Sequence, residues 1–398
     1  MFRTKLALIG LTIAGFLTTF APASAQRMAT PAEHAILLDA STGSVLFEKD
    51  ADSSFPPASM SKLMTVYLAF DAIKQGTLRL DDQVVVSDDV WRKWNKSTGS
   101  IGQGGSTMFL RARDVVTIAD LLRGIIVLSG NDACVALAEH MAGSHQTFVD
   151  WSNAKAIEIG LTGSHFKNAV GWPEEGHVMT ARDLATLSLR LANDFPDLYP
   201  MFAEREYLYK DFVSNKYNRN PLLGRFAGAD GLKTGHTEEA GYGLAASAER
   251  DGRRLVLVVA GLSSMNERMR ESTRLMQYGF RNFSHFPLFK AGETVDYAEV
   301  WLGQSATVPM VVGEDVALTM SRLQRAQMKV SIEYTNPTSA PIAKGDKLGD
   351  LKIEMPDRPT VVVPLLAGET VEEVGGLGKI GAAFEYLLFG SAGAEKQD

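Results

Sequence analysis

The sequence predicts an α/β domain with an antiparallel sheet flanked by helices, followed by a small all-β domain. Three observations carry this. Up to about Phe286, stretches with helical apolar spacing alternate with short strand-like runs. Asp251-Gly252 stands between two long apolar β runs, "GYGLAASAER" and "RRLVLVVAGL", which is a hairpin signal and argues against a doubly wound parallel sheet. Beyond Phe286 the chain breaks into short alternating runs such as "MKVSIEYTN", "LGDLKIEM" and "TVVVPLLAG", separated by Gly, Asp, Pro and Asn, the texture of a sandwich or barrel.

The elements follow in order. Residues 1–25 read as an export signal: Arg3 and Lys5 open it, Leu6 to Phe20 is apolar, and Ala23-Ser24-Ala25 forms a small-x-small cleavage site. "EHAILLDASTGSVLFEKDA" predicts a hairpin turning at Ser41-Thr42-Gly43. Ser59 opens a helix whose apolar positions Leu63, Val66, Tyr67 and Phe70 keep helical spacing, with Gly76 ending it. Helices are predicted over Thr117 to Leu128 and Asp132 to Met141, and another begins at Thr180, an N-cap with Asp183 three residues on. A final helix covers Asn266 to Tyr278. The division is therefore signal 1–25, first domain 26–286, all-β domain 287–374 and a tail, 375–398.

Composition narrows the function. The chain of 398 residues carries a net charge of −7, which cleavage after Ala25 would make about −9. An acidic chain without a basic cluster is a poor nucleic-acid binder. Cys134 is the one cysteine, so no intrachain disulfide forms, and its apolar helical setting marks a buried small hydrophobe. The 7 histidines are scattered without metal-ligand spacing, and no metal or other cofactor is expected.

Three short strings carry the chemistry: Ser59-x-x-Lys62, Ser129-Gly130-Asn131 and Lys233-Thr234-Gly235. Each alone is common, and an N-cap followed by a solvated lysine also explains the first. Together they make sense as one site. A serine hydroxyl needs a base within hydrogen-bond reach, and Lys62, three residues on, shares its face. Lys62 serves only if neutral, which burial or a second cation such as Lys233 would bring about. The helix N-terminus at Ser59 favours a developing oxyanion. Ser129 suits proton relay to a leaving amine, Asn131 suits a substrate amide, and Gly235 would let substrate lie close to the strand.

In this order the three motifs resemble those of penicillin-binding proteins and serine β-lactamases. More specifically, "PASMSKLMT", "LSGNDACVALAEH", "HFKNAVGWPEEGHVMTARDLA" and "DGLKTGHTEEAGYGLAASAERDGRRL" resemble low-molecular-weight serine D-alanyl-D-alanine carboxypeptidases. The resemblance implies a β-lactamase/transpeptidase-like first domain. Ser59 would be acylated by the terminal D-alanyl-D-alanine of a peptidoglycan stem peptide, and by β-lactam antibiotics. It also implies that Thr234, Gly235 and His236 contact substrate, His236 through its backbone or by positioning Lys233. Arg268 would lie near the substrate carboxylate, with Arg270 as the alternative. His177 is read as a packed structural ring.

Two related activities fit the same motifs. An endopeptidase acting on cross-links would use the same site. A β-lactamase would need a deacylating glutamate, and Glu174 and Glu175 lie in the right interval without the surrounding pattern. A non-catalytic wall-binding protein should have lost a motif residue, and none is missing. Finally, Leu377, Ile380, Phe384, Leu387 and Leu388 make an apolar stripe in the tail. That stripe, and the resemblance, imply peripheral attachment to the periplasmic face of the inner membrane; a helix packed on the β domain is the alternative.

Overall fold

The hairpin forms where the strand–turn–strand pattern places it. In the computed structural model, which describes residues 28–94, 105–210, 216–356 and 358–375, β1 (His34–Asp39) pairs antiparallel with β2 (Val45–Lys49). Gly43 takes φ +64° in the turn, a conformation that disfavours any residue with a Cβ. The chain then crosses to a single 3-10 turn, Ala58–Ser61, followed by α1 (Lys62–Lys74). Ser59 thus sits on the 3-10 turn, one turn ahead of the α-helix expected to begin at it. In a 3-10 turn residues i and i+3 eclipse, so Ser59 and Lys62 still share a side.

A short ribbon of β3 (Gln83–Val85) and β4 (Val115–Thr117) flanks α2 (Asp88–Trp94). Four helices follow: α3 (Ile118–Ile126), α4 (Asn131–Ala142), α5 (His145–Glu158) and α6 (Ala181–Asp194). Thr117, Ser144 and Thr180 each accept a hydrogen bond from the backbone N–H three residues on, the N-cap geometry expected at Thr180. Next come β5 (Ala229–Thr237), β6 (Gly241–Arg250) and β7 (Arg253–Leu262), the last two turning at Asp251-Gly252, both with positive φ. The helix α7 (Met265–Asn282) outruns its expected end at Tyr278 and passes directly into β8 (Phe283–Phe289).

The five strands form one antiparallel sheet in the order β2-β1-β7-β6-β5. Both faces are covered. Alternate residues Ile36, Leu38, Val256 and Val258 join the core formed with α1, α3, α4 and α6, while Leu37 and Leu255 face Gly279 of α7. This explains why the strands read as continuous apolar runs, without the polar alternation of a half-exposed sheet. Among the described residues no strand pairs with the outer edge of β5.

The C-terminal part continues with β9 (Thr294–Trp301), β10 (Thr307–Val312), β11 (Val316–Ser321), α8 (Arg322–Gln327), β12 (Lys329–Tyr334), β13 (Thr338–Ser339), β14 (Lys347–Glu354) and β15 (Val361–Ala367). A six-stranded sheet, β12-β14-β15-β10-β9-β13, packs with the β8–β11 ribbon around Val308, Met310, Leu351, Ile353 and Leu365. The six-residue α8 interrupts an otherwise all-β region, capped by Ser321 and Gln324 in a reciprocal pair. Arg253 ties the sheet to the start of β8. It pairs with buried Asp39 at 2.6 Å and donates to the carbonyl of Phe283 at 2.8 Å. Burial alone would raise the Asp39 carboxyl, but hydrogen bonds from Ser41 and Arg253 outweigh it and leave the group below its ordinary value. The expected signal at 1–25 and, Gly375 apart, the expected tail lie outside the described residues.

Candidate active site

The 3-10 turn, the α3–α4 connection and the edge strand β5 meet at one cavity of about 330 Å³, lined by Ser59, Ser129, Asn131, Thr234, Gly235 and His236 among others. All three motifs therefore converge. Lys62 Nζ lies 2.7 Å from Ser59 Oγ and 2.6 Å from the carbonyl of Val170. Lys233 Nζ lies 2.9 Å from Ser129 Oγ and also donates to the carbonyl of Thr234.

Both lysines are buried, with no carboxylate in ion-pair contact among the described residues. Burial pulls Lys62 down to about 8, and the Arg219 guanidinium adds repulsion. Lys233 is likewise depressed, first by burial and then by the neighbouring charges of Lys62 and Arg219. An amine near neutrality beside Ser59 Oγ is what a base for that hydroxyl requires.

Backbone conformations hold the hydroxyls in place. Ala58, just before Ser59, has φ +48°, and Ser129 has φ +62°, a left-handed geometry costly for residues other than glycine. The break between α3 and α4 is pinned from behind by Asp132, whose carboxylate accepts from the backbone of Met108, Leu110 and Ala133. Asn131 donates its backbone N–H to Ser106 at 2.8 Å.

The loop that supplies the Val170 carbonyl is built around Asn168, whose Oδ1 accepts from the backbone N–H groups of Val170, Gly171 and Trp172. His177 fixes this loop to the Ser59 turn. Its Nδ1 accepts from the Lys167 N–H, so Nε2 carries the proton and donates to Ser61 Oγ at 2.9 Å. Burial lowers its pKa to about 4, so the ring is neutral and structural.

Gly235 also packs on the Ser59 turn. A Cβ there would lie 2.8 Å from the Pro57 carbonyl oxygen and 3.1 Å from Met60, so the glycine lets β5 close on the turn carrying Ser59. Its missing side chain makes room for the protein's own backbone as well as lining the cavity. The His236 ring is exposed and rests 3.9 Å from the Tyr242 ring, while the Lys233 amine donates to Ser129 and to the Thr234 carbonyl.

Of the two candidate arginines, Arg268 is buried in the cavity wall, donates to the Gly243 carbonyl at 3.3 Å, and leaves Nε without a partner among the described residues. Burial brings it down to about 10. Arg270 is exposed and pairs with Glu267 and Glu271. Glu174 and Glu175 are exposed and outside the cavity lining, and Glu174 accepts from Asn168.

Sequence reasoning missed Arg219, Asp132 and Asn168. Arg219 lines the cavity and donates to Ser106 Oγ and the Leu128 carbonyl. Its only signal is an arginine between two asparagines, "YNRNPL".

A family model described as D-alanyl-D-alanine carboxypeptidase matches residues 21–264. The chain belongs to this family. A second model, the C-terminal domain of penicillin-binding protein 5, matches residues 283–373. The D-alanyl-D-alanine carboxypeptidase DacC of Escherichia coli is 37% identical over 92% of both chains. Penicillin-binding protein 5 of Haemophilus influenzae superposes with a TM-score of 0.75 at 32% identity, covering 87% of this chain and 99% of that one. Penicillin-binding protein D2 of Listeria monocytogenes in its ampicillin-bound form gives 0.54 at 29% identity, covering 64% and 99%.

Proposed function

We propose that Ser59 is the nucleophile by which this serine-type D-alanyl-D-alanine carboxypeptidase removes the terminal D-alanine of a peptidoglycan stem peptide. The observation that carries this is the 2.7 Å contact between Ser59 Oγ and a buried lysine with a depressed pKa. The neutral amine of Lys62 accepts the hydroxyl proton as Oγ attacks the carbonyl between the two D-alanines. Ser129, bridged to Lys233, passes a proton to the nitrogen of the departing D-alanine as the C–N bond breaks. Water then cleaves the ester and regenerates Ser59.

Substrate would extend along the outer edge of β5 beside Thr234, Gly235 and His236, where alternate residues turn their backbone groups away from β6. The Asn131 side chain holds a substrate amide, while Arg268, with its spare donor, takes the terminal carboxylate. A β-lactam would acylate the same serine, its strained amide occupying the place of the dipeptide bond. Incubating the purified protein with a pentapeptide ending in D-alanyl-D-alanine should release one D-alanine per peptide. An intact pentapeptide would refute the reading.

The domain division at 286/287 belongs to the same proposal, supported by the separate core around Met310 and Leu351. So does the location: export by residues 1–25 to the periplasm and peripheral attachment through the apolar stripe of the tail. Truncation after Gly376 should move the protein from membranes to the soluble periplasmic fraction with its peptidase activity intact. Continued pelleting with membranes would refute the anchor.

A further inference from the structure

The six-stranded sheet of the C-terminal part ends on two unlike edges. At one end β13 is only two residues long and lies between Pro337 and Pro341, so it offers little to another chain. At the other end β12 is six residues long, "KVSIEY", with no proline or glycine. It pairs with β14 from Lys329↔Glu354 to Tyr334↔Gly349 without a bulge. Among the described residues no strand pairs with its outer edge. Every second residue of an antiparallel strand turns its N–H and C=O away from its partner, so this edge is a template for a further strand.

The sequence of β12 is complementary to itself. Alternation puts Val330, Ile332 and Tyr334 on the face toward the core, and Lys329, Ser331 and Glu333 on the outer face. Val330 is left 47% exposed at the lip of that core. Two copies laid antiparallel, with Ser331 opposite Ser331, set Val330 against Ile332 of the partner subunit. The same register sets Lys329 against Glu333 of the partner subunit, and symmetry makes each contact twice. Sliding by two residues either way brings Lys329 or Glu333 opposite serine and loses both ion pairs. Sliding by one places Val330 opposite a glutamate and mismatches the faces. One register therefore satisfies both the charges and the apolar residues.

We propose that β12 is a self-association edge through which two copies of this chain join about a twofold axis, fusing two six-stranded sheets into one. The proposal does not depend on the reading of Ser59, whose cavity is built from earlier elements. The ribbon is short for a stable interface, so association is weak and depends on concentration.

The test uses the full chain and a cysteine placed on the edge. Cys134, the one natural cysteine, is buried, so the new thiol is the exposed one. Facing residues of an antiparallel pair have Cα atoms about 4.5–5.5 Å apart, within the span of a disulfide. Ser331→Cys should therefore form a disulfide-linked dimer on mild oxidation, with the melting temperature of its reduced form showing the fold intact. Glu333→Cys, separated from its own copy by about 13 Å along the ribbon, should cross-link at least about tenfold more slowly. In sedimentation, Lys329→Glu should weaken the dimer about tenfold, and Lys329→Glu with Glu333→Lys should restore it. The double variant sets each new charge beside a like charge on β14, Glu354 or Lys352, so an effect confined to one protomer would grow in it. Equal cross-linking at both positions, cross-linking at neither, or a double variant weaker than the single one would overturn the proposal. So would cross-linking that appears only after truncation at Gly376, which would give the edge to the tail.

Discussion

The base assigned to Lys62 makes a quantitative prediction about pH. Moving the ammonium from 10.5 to about 8 by burial is worth about 3 kcal/mol of differential stability between its two protonation states. At pH 7 about one Lys62 in ten would then be neutral, against about one in three thousand for an ordinary lysine, a gain of about 300-fold in competent enzyme. Only the neutral amine takes the Ser59 proton, so the rate must rise with pH. The second-order rate of acylation by a fluorescent penicillin, measured from pH 5.5 to 9.5 within the range where the protein stays folded, should climb about tenfold per pH unit and level off near 8. Lys62→Arg should fall by about a thousandfold or more, because a guanidinium keeps its proton. A flat profile, a midpoint near 10, or an active Arg variant would each show that another group takes the proton.

Two further substitutions test the packing behind the site. Gly235→Ala places a Cβ 2.8 Å from the Pro57 carbonyl oxygen, so β5 and the Ser59 turn must separate. It should cost about 1–3 kcal/mol in urea denaturation and lower acylation by about 100-fold, and near wild-type values for both would show the contact to be slack. Asp39→Asn leaves Arg253 short of its buried partner and should cost about 3–5 kcal/mol at pH 7. The Asp39 carboxyl titrates below its ordinary value when folded, so its contribution is complete above about pH 4 and is lost as pH falls through the lowered pKa. The gap between the variant and the wild type should therefore narrow as pH falls below about 4, and a gap that does not narrow at any pH where both remain folded would contradict the ion-pair explanation.

The sequence made the layout of the fold and the three motifs that meet at the cavity legible because each leaves a local mark. Helical and strand spacing, the Asp251-Gly252 turn and the Thr180 cap are set by neighbouring residues, and the three motifs each lie within four positions. What escaped depends on contacts across long stretches of chain. Arg219 reaches the cavity from a loop with no periodicity, 160 residues from Ser59 in sequence. Asn168 acts by folding its own loop so that a backbone carbonyl meets Lys62, and a backbone acceptor has no residue-type signature. Gly235 has a second neighbour that its motif does not announce: a Cβ there would press on the Pro57 carbonyl, a contact made only once β5 packs on the Ser59 turn. The Arg268 and Arg270 pair stayed open because both fit one helix, and burial separates them only once α7 is packed on the sheet.

The role of Ser59 is tested most directly by locating the covalent adduct. The protein should be incubated with benzylpenicillin, digested and mapped by mass spectrometry. A single penicilloyl group should fall on Ser59, within the peptide carrying Lys62, and Ser59→Ala should take up none while keeping the wild-type melting temperature. An adduct on Ser61, Ser129 or any other residue, or equal labelling of the folded Ala variant, would contradict the assignment of Ser59 as the nucleophile.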